Sequence, residues 1–395
     1  MSFFNFRSTS FVDSAVLVLV VLPFLIYIFG GMFVYEKINA FYTVYNYLPV
    51  NTLLEIQSLL LCGLLIVKGR LNTNSVILFL AVSLYVFVCL LVFVYSPVGG
   101  IVDFVIIYKS IIYLMLLLLL GRTRVPVNPS IILGLYKILL FAFLLKYLLS
   151  KFVFGIARPG LFYENNFELI LLIVVHAVLS YHGFIKGVKV RSVYYLVVIL
   201  SGSRSALVTM VFLEYMLMSS GISIKKILGL ICIALLSVVV AYIFVSRLDG
   251  RGVESIDRLF FLSMFLNEYS SFDMIQYIFG TQPITSLSYD TCNNFRFYSS
   301  IFSDFDNNVC FSVLFHSFIL RTLFDHGVLG LVFITYVLYF CLRRSGYSNR
   351  FVVALIGAFF LNGLSVSSLN GPFAFISLII VILLSAQLKK EVSFA

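Results

Sequence analysis

Apolar residues along this chain run in blocks, not in alternation or narrow stripes. Scanned with a window of about 19 residues, the blocks fall at 14–34, 50–67, 75–95, 101–120, 131–149, 166–184, 192–202, 204–222, 227–246, 327–342, 351–369 and 371–388. A helix needs about 20 apolar residues to cross a bilayer, so the pattern predicts an all-α polytopic membrane protein with about 12 transmembrane helices. The first block is too long for a signal-peptide core and has no small-residue cleavage site, so it reads as a retained helix. Polar positions cluster as sharply. Residues 247–315, between the ninth and tenth blocks, carry eight acidic residues and the run SDFDNN. Within them ESIDRLFFLSMFLNEY groups apolar residues at helical spacing, which predicts a cap of short helices over the outer face. The chain then reads as a single integral membrane domain, 1–395, with an outer cap loop, 247–315, inside it. No internal repeat is evident, unlike the two-fold repeated architectures of many transporters.

Composition agrees: 62% of residues are apolar and 11% charged, against about 25% charged in a soluble domain. Charge adds direction. Arg7, Lys68, Arg70, Arg122, Arg124, Lys186, Lys189, Arg191, Lys225, Lys226, Arg343, Arg344, Arg350, Lys389 and Lys390 fall in alternate loops. The positive-inside rule places those loops and both termini in the cytoplasm. The net charge of +10 is then mostly topology and calls for no nucleic-acid partner. The cytoplasmic loops are too short to house a site, so the chemistry is expected on the outer side.

Arg204 stands out first, in LSGSRSALVTM between two apolar runs. From Arg191, about 12 residues carry the chain roughly 18 Å, which puts Arg204 in the outer half of the membrane at the top of a short helix. Gly202 and the neighbouring serines allow a tight turn, and the hydroxyls of Ser203 and Ser205 face the same recess as the start of the next helix. Oriented N–H groups, hydroxyls and a guanidinium favour an anion, a phosphate best of all. The plain alternative is an arginine that snorkels or ties two helices together.

Two further stations follow the same logic. ARPGLFYENN, from Ala157 to Asn166, puts Arg158 beside a Pro159–Gly160 turn, and Glu164, Asn165 and Asn166 cap the helix that starts there. HSFILRTLFDHGVLGLVFI, from His316, opens with His316, Arg321, Asp325 and His326 among apolar residues. His316 lies at the seam of loop and membrane, where a neutral imidazole can accept a hydroxyl proton. His326 is the weaker candidate, and a packed polar residue is the ordinary alternative for either. Of the cysteines, Cys62, Cys89, Cys232 and Cys341 lie in apolar spans, whereas Cys292 and Cys310 share the outer loop. An oxidising compartment would allow these two a disulfide, with two free thiols as the alternative. Lys109 lies mid-span and needs a carboxylate, Glu55 or Glu214. Lys137 and Lys146, nearer helix ends, can snorkel.

In order along the chain, a short span ending in SGSRSA, an R-x-G-x-F turn before a capped helix, an amphipathic arginine segment followed by FGTQP, and H-S-F with D-x-G-x-x-G resemble the O-antigen ligase and Wzy-type polymerase superfamily. The resemblance runs from about Lys151 to Phe333. Serine follows His316 where asparagine is common, and GTQP stands where a glycine-rich G-x-G-P is usual. The resemblance implies an inverting, metal-independent glycosyltransferase that uses no cofactor and takes an undecaprenyl-diphosphate-linked oligosaccharide as donor on the periplasmic face. Arg204 and Arg258 would stabilise the diphosphate, with Arg251 able to replace Arg258, and His316 would act as general base. Arg158 and Arg321 would be further substrate contacts. A flippase and a chain-length regulator of the same pathway are the implied protein partners.

Metal-dependent glycosyltransferases are the nearest different mechanism; they need outer carboxylates, and the first outer loop has only Glu36. Asp304 and Asp306 have a D-x-D form but sit in a solvated acidic loop. A composition poor in Gly and Ala, rich in Phe and Tyr and without Trp favours the polymerase over the ligase, which passes finished glycan to lipid A core. A lipid-linked oligosaccharide flippase is the alternative of another class, and the single outer cap opposes it.

Overall fold

The computed structural model describes residues 4–33, 49–69, 72–95, 98–120, 128–156, 158–162, 165–217, 257–303, 305–306 and 308–387. The regular elements among them are all helical. In chain order these are α1 (Phe4–Met32), α2 (Val50–Lys68), α3 (Thr73–Tyr95), α4 (Ile101–Leu119), α5 (Pro129–Phe152), α6 (Asn165–Tyr181), α7 (Val188–Leu200) and α8 (Arg204–Leu217). After them come α9 (Asp257–Ser270), α10 (Met274–Phe279), α11 (Tyr289–Asn294), α12 (Phe318–Arg344), α13 (Asn349–Gly363) and α14 (Pro372–Leu384). Helices α1 to α5 and α12 are long and apolar enough to cross a membrane. Helices α6, α13 and α14 are apolar but only 17, 15 and 13 residues long. The expected span at 227–246 lies outside the described residues, as do Glu36, Glu164, Arg251 and Asp304. The block expected at 327–342 starts earlier: α12 begins at Phe318 and continues through a break at Gly327.

Burial sorts the helices. All of α14 is buried, as befits a helix apolar on every face, and nearly all of α6 is buried with it, its polar residues hydrogen-bonded inside the bundle. The two pack on each other, α14 packs also on α2, and α8 packs on α13 and α6. By contrast α3 leaves Ile77, Leu80, Leu84 and Phe87 exposed, the surface that lipid would cover. Lipid and bundle interior are equally apolar, so polar contacts fix how such helices register. Lys109 Nζ donates to Glu55 Oε1 at 2.5 Å, linking α4 to α2. Glu214 instead lies 3.4 Å from Nε2 of His176, whose Nδ1 is 2.6 Å from the hydroxyl of Tyr136. Lys146 corrects the expectation of a snorkelling side chain. It is buried and donates to Gly31 O at 2.8 Å, because α1 and the 158–162 turn close over it.

Residues 257–315 form a second, smaller core around Phe261, Phe265, Phe295 and Phe315. Cys292 and Cys310 are joined there by a disulfide, Cα–Cα 5.7 Å. Glu268 accepts from Ser288 N at 3.0 Å and from Thr291 Oγ1 at 2.5 Å, fastening α9 to α11. Ser303 Oγ donates to Asp103 Oδ2 at 2.6 Å, which fastens this core to the first turn of α4. A backbone contact fixes it to α12. Gly280, φ 84° and ψ −172°, and Gly327, φ 63° and ψ −171°, occupy a region open essentially to glycine alone. A Cβ on Gly280 would meet His326 N at 2.4 Å, and one on Gly327 would meet Ile278 O at 2.4 Å. The FGTQP and D-x-G segments therefore touch main chain to main chain, and Thr281 N donates to Phe324 O at 2.9 Å.

Alanine at Gly280 or Gly327 is expected to prevent the second core from docking and to abolish a monodisperse peak in detergent size-exclusion chromatography. Alanine at Gly63 or Gly134, where nothing lies within 4 Å of the added methyl, should leave that peak unchanged. Replacing Cys292 and Cys310 together by serine removes a constraint on an 18-residue separation, worth about 3 kcal/mol. Limited proteolysis should then cut within 257–315 sooner than in the unreduced parent, and thiol reagents should fail to label either cysteine of that parent.

Candidate functional site

Helices begin around one cavity of about 300 Å³. Asn51, Thr52 and Glu55 come from the first turns of α2, Phe167 from the start of α6, Arg321 from the first turn of α12, and Pro372 and Phe373 from the start of α14. Lys109 from the middle of α4, His316, Ser367 and Asn370 complete the polar lining. A helix start leaves N–H groups without intrahelical partners and carries roughly half a positive charge. Neither Pro49 before α2 nor Gly371 before α14 supplies a side-chain cap. Four helix N-termini around one polar cavity make it electropositive before any side chain is counted.

Of the charged side chains that line it, Lys109 and Glu55 pair with each other and Arg321 adds one positive charge. Arg321 is 4% exposed, donates through Nη2 to Ile106 O at 3.2 Å and makes no ion pair among the described residues. Asp325, one turn on, accepts from Ser312 Oγ at 2.7 Å. Asn51 Oδ1, Arg321 Nε and Ser367 Oγ are buried without a hydrogen-bond partner among the described residues. Each such atom costs about 1–3 kcal/mol when left unsatisfied. A polar occupant of the cavity would recover much of that cost.

His316 lines the same cavity in a strained conformation, φ 52° and ψ −11°. Non-glycine residues seldom adopt the left-handed region, and those that do gather at functional sites. Its ring lies 4.9 Å from that of Phe261 and 5.5 Å from that of Tyr298, centroid to centroid. Ser317 caps α12 by accepting from Leu320 N at 3.4 Å and donates to Gly363 O at 2.9 Å. Serine caps as well as asparagine does, so the H-S pairing leaves this corner intact. His326 is placed differently. It is buried, with Nδ1 2.9 Å from the Tyr85 hydroxyl, and its ring packs against Tyr108.

The SGSRS turn and the turn after Arg158 are built into one another. Gly202 takes φ 67° between α7 and α8. Ser203 Oγ donates to Asn166 Oδ1 at 2.5 Å, Ser205 Oγ to the same oxygen at 3.3 Å, and Asn165 Nδ2 to Ser201 O at 2.9 Å. The Ser203 and Ser205 hydroxyls thus hold the start of α6, one residue from cavity-lining Phe167. Arg204 stands between them, partly buried and outside the cavity lining. The buried Glu168 carboxylate accepts from Leu161 N at 2.8 Å and Phe162 N at 2.7 Å, which fixes the turn that carries Arg158. Arg158 itself is exposed. Arg258, partly buried, sits one helical turn before Phe261, the residue against the His316 ring.

The sequence singled out His316 and Arg321, which both line the cavity, and paired Lys109 with Glu55 or Glu214, but it assigned no part to Asn51 and Thr52. The signal was present as three polar residues at one face of the start of an apolar span, and as the polar run SSLNGP between two spans. Asp306 is engaged in its own turn, accepting from Asn308 N at 2.9 Å. Among the described residues no three His, Cys, Asp or Glu side chains group in a way that could hold a metal. Compared with models of known protein families and with curated proteins, the chain matches none.

An electropositive cavity of this kind should bind a small polyanion. Millimolar inorganic pyrophosphate is expected to raise the melting temperature of the detergent-solubilised chain by mass action on the folded state. The shift should disappear in Arg321→Leu, measured by differential scanning fluorimetry, and persist in His326→Gln.

Proposed function

We propose that the chain is a Wzy-type polysaccharide polymerase, an inverting glycosyltransferase that joins undecaprenyl-diphosphate-linked oligosaccharide repeat units in O-antigen or capsule synthesis. One observation carries the reading: a strained histidine, a buried arginine and four helix N-termini meet on a polar cavity inside an otherwise apolar bundle. The motif order from SGSRSA to H-S-F supports it from the sequence side. About 12 spans, cytoplasmic termini and residues 247–315 on the periplasmic face belong to the same reading. The Cys292–Cys310 disulfide supports that orientation, since disulfides persist in oxidising compartments.

The chemistry asked of the site is small. The donor already carries a lipid diphosphate as leaving group, so the protein must hold phosphates and take one proton. Helix N-termini, Arg321, Arg204 and Arg258 stabilise the diphosphate as the bond from the anomeric carbon to its phosphate oxygen breaks and that electron pair leaves with it. His316 takes the proton of the acceptor hydroxyl, whose oxygen forms the new bond from the opposite face and inverts the centre. The Phe261 and Tyr298 rings fix the imidazole in place. Arg158, exposed beside its turn, is an additional contact for donor phosphate or sugar, and Arg251 is the alternate to Arg258. The flippase and chain-length regulator of the same pathway are the partners this role requires.

The lipopolysaccharide ladder of a strain lacking the chain tests the class. A single repeat on core is expected. Bare core with accumulated lipid-linked polymer would make it a ligase, and bare core without outer-face intermediates a flippase. Complementation should fail with Arg204→Ala, lose most long chains with Arg204→Lys, whose point charge lacks the planar fork, and fall by about 100-fold or more in turnover with His316→Ala. His326→Ala should restore long chains, and equal activity of the two histidine variants would remove His316 as the base.

A further inference from the structure

One wall of the cavity is not used by the diphosphate. Asn51, Thr52 and Glu55 stand at positions i, i+1 and i+4 of α2, and Lys109 reaches Glu55 from α4 at 2.5 Å. The two side chains are 26% and 23% exposed and both line the cavity, so the pair keeps an open side. Its hydrogen bond uses Glu55 Oε1, and the Tyr113 hydroxyl stands near the same carboxylate without a partner within hydrogen-bond distance among the described residues, so the second carboxylate oxygen and the other ammonium hydrogens are available to an occupant. Asn51 Oδ1 is a buried acceptor that lacks a donor among the described residues. Phe167, Pro372 and Phe373 give the same space an apolar wall.

These groups set conditions on what fits. The occupant must donate to Asn51 and Glu55, accept from Lys109, and lay an apolar face against the aromatic wall. A phosphate has no hydroxyl array to donate and is repelled by the Glu55 carboxylate. A sugar ring meets every condition, because its hydroxyls donate and accept while its C–H face is apolar. The whole cavity, about 300 Å³, stands at the small end of ligand cavities, so its α2 wall has room for no more than one ring.

We propose that Asn51, Glu55 and Lys109 form a sugar subsite that holds one pyranose ring of the acceptor glycan beside His316, with Lys109 positioning the Glu55 carboxylate. The acceptor role rests on the polymerase reading; recognition of a sugar ring rests on the α2 wall itself. The test is saturation-transfer NMR on the full chain in detergent with the methyl glycosides of a hexose, a 6-deoxyhexose, an N-acetylhexosamine and a hexuronic acid. Inorganic pyrophosphate is titrated separately. At least one glycoside is expected to receive saturation from the parent. Glu55→Gln and Asn51→Ala should each weaken its binding about 10-fold without weakening pyrophosphate binding, which loss of the Glu55 charge can only favour. Lys109→Met should weaken it similarly, and Lys109→Arg should restore most of it, a rescue that a bulk packing role would not produce. Asn51→Ala keeps the test open should a change in the ion pair impair folding. Absence of saturation for every glycoside, or parental binding by both Glu55→Gln and Asn51→Ala, would overturn the subsite. Glycoside binding without pyrophosphate binding would uphold it and remove the polymerase reading instead.

Discussion

A helix start leaves N–H groups without intrahelical partners, and the rest of this structure is arranged around four such starts. Helices α2, α6, α12 and α14 begin at one cavity, and two of them have no side-chain cap. In hydrocarbon that arrangement is costly unless a polar ligand fills it. The buried Arg321 adds to this, since its nearest counter-charge, the Asp325 carboxylate one turn on, lies beyond ion-pair distance among the described residues.

The surrounding polar contacts keep those helix starts where they are. Asn166 ties the SGSRS turn to α6 through Ser203 and Ser205, and Asn362 of α13 donates to its carbonyl at 3.4 Å. Glu168 holds the turn below it, and Ser317 ties the start of α12 to the end of α13. His316 takes its left-handed geometry at the junction where residues 312–315 hand over to α12. That junction is clamped on the other side by Ser312 and Asp325, and by the contact of Gly280 with Gly327. The strain in one residue is thus held by several independent attachments, as the general base proposed here would require.

Much of this was legible in the sequence where it depended on local chemistry. Blocks of apolar residues predicted α1 to α5, and the glycine and serines around Arg204 predicted a tight turn that is present. His316 and Arg321 were visible as polar residues at the mouth of a span. What escaped depended on packing between distant helices. Asn51 and Thr52 look like ordinary residues at a helix start until α4 and α14 are placed against them. Lys109 and Glu55 were readable as a structural ion pair, yet only the bundle shows that the pair is open to a cavity. Lys146 near the end of its span suggested snorkelling, whereas α1 and the turn at 158–162 cover it. Ser203 and Ser205 were read as ligand hydroxyls, and the structure gives both of them to Asn166.

The central claim is that a cavity lined by His316, Arg321 and helix N-termini supports glycosyl transfer from a lipid diphosphate. Its most direct measurement is a reaction of the purified chain with one chemically defined undecaprenyl-diphosphate-linked repeat unit, with product mass and released lipid diphosphate followed together. The account predicts a ladder of products differing by whole repeat units, with one undecaprenyl diphosphate released for each new glycosidic bond. Unchanged substrate, or release of undecaprenyl diphosphate without any longer glycan, would contradict it.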